Sequence, residues 1–304
     1  MTAAGGNLIS TSQLGHAYGD IVALHHLDFV VPAGRIGLVG ANGAGKSTLI
    51  KVLLGILDPT EGAAEVLGIG VADDPIAVRS KVGYMPEETC LPLSQTAADF
   101  TVYAAELAGI PTKAARQRAS DVLTLVGLHE ERFRYLAEFS TGMKQRAMLA
   151  QAIVHDPELV FLDEPTAGLD PEGREEMLNL IGRLGEFGIN VLVSSHVLTD
   201  IESTCDWVVM LDGGRVLRSG PLTGITGSDT VDVELLDDHT AVLAALRKRG
   251  AEVEVRGAVL RVKSADDAFD LIRDALAEAG AGMKKLSKSE TSLEDIFLAA
   301  GEAE

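Results

Sequence analysis

A glycine-rich loop limits the possible folds of this chain more than any other feature, because it joins a strand-like segment to a helix-like one. The loop matches the pattern Gly-x-x-x-x-Gly-Lys-Ser/Thr, with the sequence Gly40-Ala41-Asn42-Gly43-Ala44-Gly45-Lys46-Ser47-Thr48. The apolar residues Ile36, Leu38 and Val39 precede it, and an apolar helical pattern follows over 48–54. This order of strand, loop and helix predicts an α/β fold.

Each residue type in the loop suits the binding of phosphate. Glycines let the backbone curl so that successive N–H groups point at phosphate oxygens, and the helix N-terminus adds the positive end of its dipole. Lys46 is expected to reach the β- and γ-phosphates, and the Ser47 hydroxyl to ligate Mg²⁺. The other residues predicted to surround the nucleotide are Gly40, Asn42, Gly43, Ala44, Gly45 and Thr48. The alternative is a glycine-rich turn that binds nothing; we interpret the pattern as a site for ATP and Mg²⁺.

A second motif ends in two carboxylates. The apolar run 159–162 precedes Asp163 and Glu164, as in a strand that is buried on both faces of a parallel sheet. Ligands bind at the carboxyl edge of such sheets. Asp163 is the natural partner of Mg²⁺, and Glu164 is placed to polarise the attacking water. Taken alone, the two acids could instead be a solvated strand end.

A third motif, Phe139-Ser140-Thr141-Gly142-Met143-Lys144-Gln145-Arg146, lies just before that strand. Ser140 is predicted to cap an amphipathic helix. The order of the three motifs resembles that of the ATP-binding-cassette (ABC) ATPases, whose signature is Leu-Ser-Gly-Gly-Gln or a variant. In this resemblance the phosphate loop is 40–48, the signature 139–143 and the Walker B strand 159–164. It extends over residues 7 to about 222.

The resemblance implies further site residues. Tyr18 is at the position of the aromatic ring that stacks on adenine, although a core tyrosine is an alternative. Ser140 and Gly142 would touch the γ-phosphate, and Asp170 belongs to a D-loop, Gly168-Leu169-Asp170. His196 corresponds to the switch histidine that senses the γ-phosphate; by itself it could be a packed or surface histidine. With Glu164 and Lys46, His196 completes the predicted catalytic set.

Three positions depart from the commonest ABC pattern. Thr141 replaces the first signature glycine, Met143 stands where glutamine is usual, and Glu87 occupies the position of the Q-loop glutamine. Glu87 is predicted to join Ser47 and Asp163 around the metal. Such variants are similar to those of exporter ATPases associated with drug and antibiotic resistance.

Composition excludes some functions. The formal net charge is −19, from 26 Lys and Arg against 45 Asp and Glu. This charge argues against binding to nucleic acid, whose affinity comes largely from cations that neutralise phosphates, and against adsorption to anionic lipid. No run of about 18 apolar residues is present, and residues 1–6 show no signal peptide. Cys90 and Cys205 lack metal-site or disulfide spacing, which suits a reducing cytosol.

The pattern along the chain predicts a P-loop NTPase core of the ABC type over 7–222, with a helical subdomain at about 87–155. The segments 7–34 are expected to form short strands broken by Gly and Pro turns. After a linker, 229–304 are predicted as a small α+β, ferredoxin-like accessory domain that ends in a short helix over 292–300. Its last motif, 291–298, is similar to the tail of drug-exporter cassettes.

These observations predict an ATP-hydrolysing subunit of an ABC transporter that is coupled to a separately encoded transmembrane permease. The resemblance implies that the permease selects the substrate, and the tail and the Glu87 variant favour an exporter. The protein would be cytoplasmic and peripheral on the inner face of the membrane through that permease. Two copies, or a pair of related cassettes, would face head to tail. The alternatives are an ABC ATPase acting on the ribosome or nucleic acid, and a non-catalytic regulator, which would be expected to lack Glu164 or His196.

Overall fold

The computed structural model describes residues 7–223, 230–236, 240–263, 268–289 and 293–294. The chain divides into two compact units, Met1–Pro221 and Leu222–Glu304, each with its own hydrophobic core. Among the described residues, every helix is too short or too polar to cross a bilayer.

The first unit is built around a six-stranded sheet. Its central strands are short and apolar, and β3 and β7 are almost completely buried, as expected for parallel strands covered on both faces. The strand order is β10-β9-β3-β8-β7-β6, and only the β9–β10 pair is antiparallel. The strands are β3 (Arg35–Val39), β6 (Val82–Met85), β7 (Leu159–Asp163), β8 (Asn190–Ser195), β9 (Trp207–Asp212) and β10 (Arg215–Pro221).

A second, antiparallel sheet contains β1 (Ile9–Tyr18), β2 (Ile21–Val31), β4 (Glu61–Val66) and β5 (Ile69–Gly70), in the order β2-β1-β4-β5. The strands expected over 7–34 are present, but as two long strands, β1 and β2, that meet at a turn at Gly19-Asp20 and not as several short segments. The polar residues His25, His26 and Asp28 do not break β2, since its pairing with β1 continues through irregularities in register.

The first unit contains seven α-helices among its described residues, α1 to α7. Those that the sequence predicted lie close to their predicted positions. The helix after the glycine-rich loop packs Leu49, Ile50 and Leu53 into the core between the sheets. Neither α2 nor α7 was predicted. The helices are α1 (Lys46–Leu53), α2 (Pro75–Lys81), α3 (Ala97–Leu107), α4 (Thr112–Leu125), α5 (Thr141–Ile153), α6 (Pro171–Glu186) and α7 (Leu198–Thr204).

The second unit has the order βαββαβ and an antiparallel sheet with the strand order β12-β13-β11-β14, which is a ferredoxin-like arrangement. Its elements are β11 (Thr230–Leu235), α8 (Thr240–Lys248), β12 (Glu252–Arg256), β13 (Val259–Lys263), α9 (Ala268–Ala279) and β14 (Met283–Ser289). β14 was not predicted from the sequence. The helix expected over 292–300 lies outside the described residues, apart from 293–294.

Candidate active site

The glycine-rich loop has the conformation that its sequence predicts. Gly43 and Gly45 have φ angles of 82° and 100°, in the left-handed region that favours glycine, and Gly45 caps α1. At Gly40 a Cβ atom would lie 2.4 Å from the carbonyl oxygen of Leu211, so a side chain has no space there. The loop therefore packs closely against the sheet. It joins the carboxyl end of β3 to the N-terminus of α1.

Lys46, the first residue of α1, curls back over the loop. Its Nζ donates to the carbonyl oxygens of Gly40 at 2.8 Å and Ala41 at 3.3 Å. The same Nζ lies 3.3 Å from Oε1 of Glu164, and the side chains of Lys46 and Glu164 are only 7% and 6% exposed. The distance gives an ion pair, but its geometry is not that of a hydrogen bond, and Oε1 of Glu164 has no hydrogen-bond partner among the described residues.

Glu164 joins Lys46 to His196. Nδ1 of His196 lies 2.9 Å from Oε2 of Glu164, and the imidazole is half exposed. A buried carboxylate between a lysine and a histidine is well suited to hold a water molecule in a fixed position. Asp163 is buried one residue earlier, and its Oδ1 accepts a hydrogen bond of 2.6 Å from the Ser194 hydroxyl.

A cavity of about 290 Å³ lies beside the loop. Glu87 lines this cavity together with Glu164, so the structure brings both carboxylates to the same space. Some predicted residues do not line this cavity; besides the signature and D-loop residues, they are Tyr18, Gly40, Ala44, Asp163 and His196. The lining residues are Ala23, Asn42, Gly43, Gly45, Lys46, Ser47, Thr48, Glu87 and Glu164.

The predicted signature and D-loop residues lie together in a different pocket, of about 440 Å³. Ser140 caps α5 by accepting from the N–H of Met143 at 3.3 Å, as predicted, and Asp170 caps α6 by accepting from Gly173 at 3.1 Å. Gly142 also lines this pocket. Ser140, Gly142 and Asp170 therefore share no cavity with Lys46 in one chain, and the predicted site is present as two separate halves.

Tyr18 is not a core residue, because 47% of it is exposed at the end of β1. Its ring packs edge-on against the imidazole of His16, with 4.6 Å between centroids. His16 is buried and anchored through Nδ1, 2.9 Å from the carbonyl oxygen of Asp58. The contact with the anchored imidazole of His16 thus holds the tyrosine ring in place while part of the ring stays exposed.

Two buried polar groups near the site were missed by sequence reasoning. Ser194, on β8, is completely buried, and its hydroxyl contacts the carboxylate of Asp163 and the backbone N–H of Glu164. Asp200, on α7, accepts from the Thr166 hydroxyl at 3.0 Å and from Nε of Arg174 at 2.8 Å, and so links α7 to the segment before α6. The only sequence signal for these two residues was a polar side chain within an otherwise apolar segment. Such a signal does not show which residue the side chain will bind.

The sheet order, the loop and the carboxylates at the strand ends together define a phosphate-binding-loop ATPase. A family model described as ABC transporter matches residues 24–167. The bacitracin transport ATP-binding protein of Bacillus licheniformis is 35% identical over 298 residues, covering 96% of each chain. A daunorubicin/doxorubicin resistance ATP-binding protein of Streptomyces peucetius is 33% identical over 96% of this chain and 91% of the relative.

A solved structure of the ATP-binding subunit of an ABC transporter is 33% identical, with a TM-score of 0.65, over 72% of this chain and 92% of that one. The chain belongs to the ABC transporter family, as the motif order predicted. It is an ATP-hydrolysing subunit of an ABC transporter. The alternative of an ABC protein that acts on the ribosome or nucleic acid is not supported.

Proposed function

We propose that the cavity beside α1 binds the phosphates of ATP and that Glu164 is the general base. The observation that carries this proposal is the contact of one buried carboxylate with both Lys46 and His196, at 3.3 and 2.9 Å. Lys46 would exchange its carbonyl partners for the β- and γ-phosphates. Glu164 would orient and deprotonate the attacking water, and His196 would hold Glu164 and sense the γ-phosphate.

The residues at the cavity suit Mg²⁺. The Ser47 hydroxyl and the Glu87 carboxylate supply the oxygen ligands that this cation prefers, and Asp163 lies buried behind Glu164. The described residues contain no cluster of three or more His, Cys, Asp or Glu that could hold a metal alone, as expected where Mg²⁺ is bound mostly by phosphates and water. Bound Mg²⁺ would neutralise charge on the phosphates during transfer. Tyr18 would stack on adenine through its exposed ring.

The separation of the two halves supports a head-to-tail dimer. Each nucleotide would lie between the Lys46 half of one copy and the Ser140, Gly142 and Asp170 half of the other. The N-terminus of α5 would then direct its backbone N–H groups at the γ-phosphate only in the closed dimer. Closure on ATP and opening after hydrolysis would supply the motion that drives transport.

The membrane permease is proposed to dock in an apolar groove of about 690 Å³ in the first unit. The groove contains four exposed apolar side chains, and soluble surfaces rarely expose such patches without a partner. It also includes Pro86, next to Glu87, so that the permease would contact the segment that lines the ATP cavity. The exposed apolar residues are Ile56, Ile76, Tyr103 and Leu107.

This docking would place the protein in the cytoplasm, at the inner face of the membrane. The bacitracin and daunorubicin relatives favour export of an antibiotic or similar drug.

We propose that 7–222 form the nucleotide-binding domain, with a helical subdomain at about 87–155, and that 229–304 form an accessory domain.

The Glu164→Gln variant tests the assignment of the base. The amide keeps the shape but loses the carboxylate, and the rate of ATP hydrolysis should fall by about 10²–10⁴. Because ATP is then not consumed, an ATP-dependent dimer should be detectable by gel filtration. Glu186→Gln, an exposed change at the end of α6, is the matched control and should behave like the parent. Unchanged turnover without an ATP-dependent dimer would disprove the role of Glu164.

A further inference from the structure

Ser194 makes two hydrogen bonds that connect β8 to both carboxylate residues at the end of β7. Its hydroxyl donates to Oδ1 of Asp163 at 2.6 Å and accepts from the backbone N–H of Glu164 at 2.9 Å. Ser194 lies directly opposite Asp163 in the parallel pairing of β7 with β8, and it is completely buried. One hydroxyl group thus contacts two residues for which the proposed function assigns different roles.

The backbone of Glu164 makes the second hydrogen bond important. Glu164 has a φ angle of 50°, in the left-handed region that residues other than glycine rarely adopt. Such a conformation persists only when the surroundings hold it in place. The Ser194 hydroxyl binds the N–H of this residue, and the resulting backbone direction brings the side chain between Lys46 and His196.

The Ser194 hydroxyl can donate only one of its two hydrogen bonds and must accept the other. A hydroxyl has a single proton, and Asp163 as a carboxylate can only accept it. The lone pairs of the same oxygen therefore remain for the N–H of Glu164. The short bond to Oδ1 restricts rotation of the Asp163 carboxylate, so that its orientation and the backbone of Glu164 depend on the same atom.

We propose that Ser194 is a positioning residue that aligns Asp163 for Mg²⁺ binding and Glu164 for hydrolysis. The inference rests on the proposed roles of these two residues. A serine with only a packing role would not need both bonds, because a buried strand position between apolar neighbours is filled as well by alanine. Loss of the hydroxyl should leave a folded protein in which metal dependence and turnover are altered together.

The test compares Ser194→Ala with Thr101→Val, which removes another completely buried hydroxyl, on α3 and far in sequence from the site. Equilibrium binding of ATP is measured with and without Mg²⁺, beside thermal unfolding and turnover. For Ser194→Ala we expect ATP binding without Mg²⁺ close to that of the parent. The gain in affinity on adding Mg²⁺ should fall about tenfold, as is common when a residue that orients a metal ligand is removed. Thr101→Val should keep the full gain.

A double-mutant cycle with Asp163→Asn links the effect to its cause. If Ser194 acts through Asp163, Ser194→Ala should change the Mg²⁺ effect little when Asp163 is already Asn. If Ser194→Ala destabilises the protein too far, Ser194→Cys keeps a weaker donor of similar shape and should give an intermediate loss.

Two results would overturn the inference and are distinguishable. If Asp163→Asn weakens the Mg²⁺ effect but Ser194→Ala and Ser194→Cys retain it, the inference is wrong and the proposed function stands. If Asp163→Asn itself leaves the Mg²⁺ effect unchanged, the proposed role of Asp163 is wrong, and the inference about Ser194 is wrong with it.

Discussion

The two halves of the proposed ATP site are built in different ways. In the phosphate-loop half, Lys46, Glu164, Asp163 and Ser194 are buried and contact one another across three elements that are distant in sequence. In the signature half, Ser140 and Asp170 are exposed, and the hydrogen bonds of their side chains are helix caps within three residues.

This difference indicates which half can bind a nucleotide in a single chain. The first half is already ordered by long-range contacts, so one chain can hold a nucleotide there. The second half presents backbone N–H groups at a helix N-terminus but has no buried charge opposite them. The signature half is therefore expected to contribute only when a second copy supplies the nucleotide, and mutations should separate the two halves.

The largest effect is expected for Lys46→Ala. Removal of this cation deletes the group that would bind the β- and γ-phosphates, and it leaves the buried carboxylate of Glu164 without its lysine partner. ATP hydrolysis by the purified protein should fall to background. Lys51→Ala, at the other end of α1, is the control and should retain activity. Hydrolysis at the parent rate by Lys46→Ala would refute the assignment of the loop.

Ser140→Ala should have a smaller effect that appears only in the dimer. Ser140→Ala removes the hydroxyl proposed to contact the γ-phosphate across the dimer, and the loss of one hydrogen bond of about 1 kcal/mol corresponds to about a fivefold weaker ATP-dependent dimer. ATP binding to the monomer should remain unchanged, because Ser140 lies outside the Lys46 cavity. Asp74→Ala removes the cap of α2 and is the matched control for stability. The comparison fails if both cap variants weaken the dimer equally, as measured by sedimentation.

Deletion of residues 229–304 should have little effect on either half of the site. The second unit has its own apolar core, with Val233, Leu246, Leu260 and Ile272 completely buried. A separate core of this kind is typical of an independent domain. The remaining chain should stay folded and bind ATP with an affinity within about twofold of the parent. Recovery of the truncated protein only as aggregate would show that the second unit is integral to the first.

The smallest effect is expected for Glu87→Gln. Glu87 lines the phosphate-loop cavity, where its carboxylate is expected to favour Mg²⁺ and, without the metal, to repel ATP. The amide should leave ATP hydrolysis measurable but make it less dependent on the Mg²⁺ concentration. Glu88→Gln, the exposed neighbour, provides the control. Superimposable Mg²⁺ titrations of parent and Glu87→Gln would remove Glu87 from the site.

Local chemistry determined much of this protein from its sequence. The glycine-rich loop needs positive φ angles that glycine supplies, and the helix starts at Ser140 and Asp170 follow from side chains that cap within three residues. The apolar run of β7 indicated a buried parallel strand, because only such a strand can be apolar on both faces. The elements of the second unit from β11 to α9 also followed from periodicity.

Only the tertiary structure decided which residues meet. The polar sequence of β14 gave no strand signal, and the strand exists because it pairs with the edge of β11. The side chains of Ser194 and Asp200 bind residues that are distant in sequence; these hydrogen bonds cross 26 to 34 residues and form when the sheet and helices pack. The separation of the Ser140 half from the Lys46 half was likewise decided by packing, since spacing along a chain does not specify which surfaces face the same cavity.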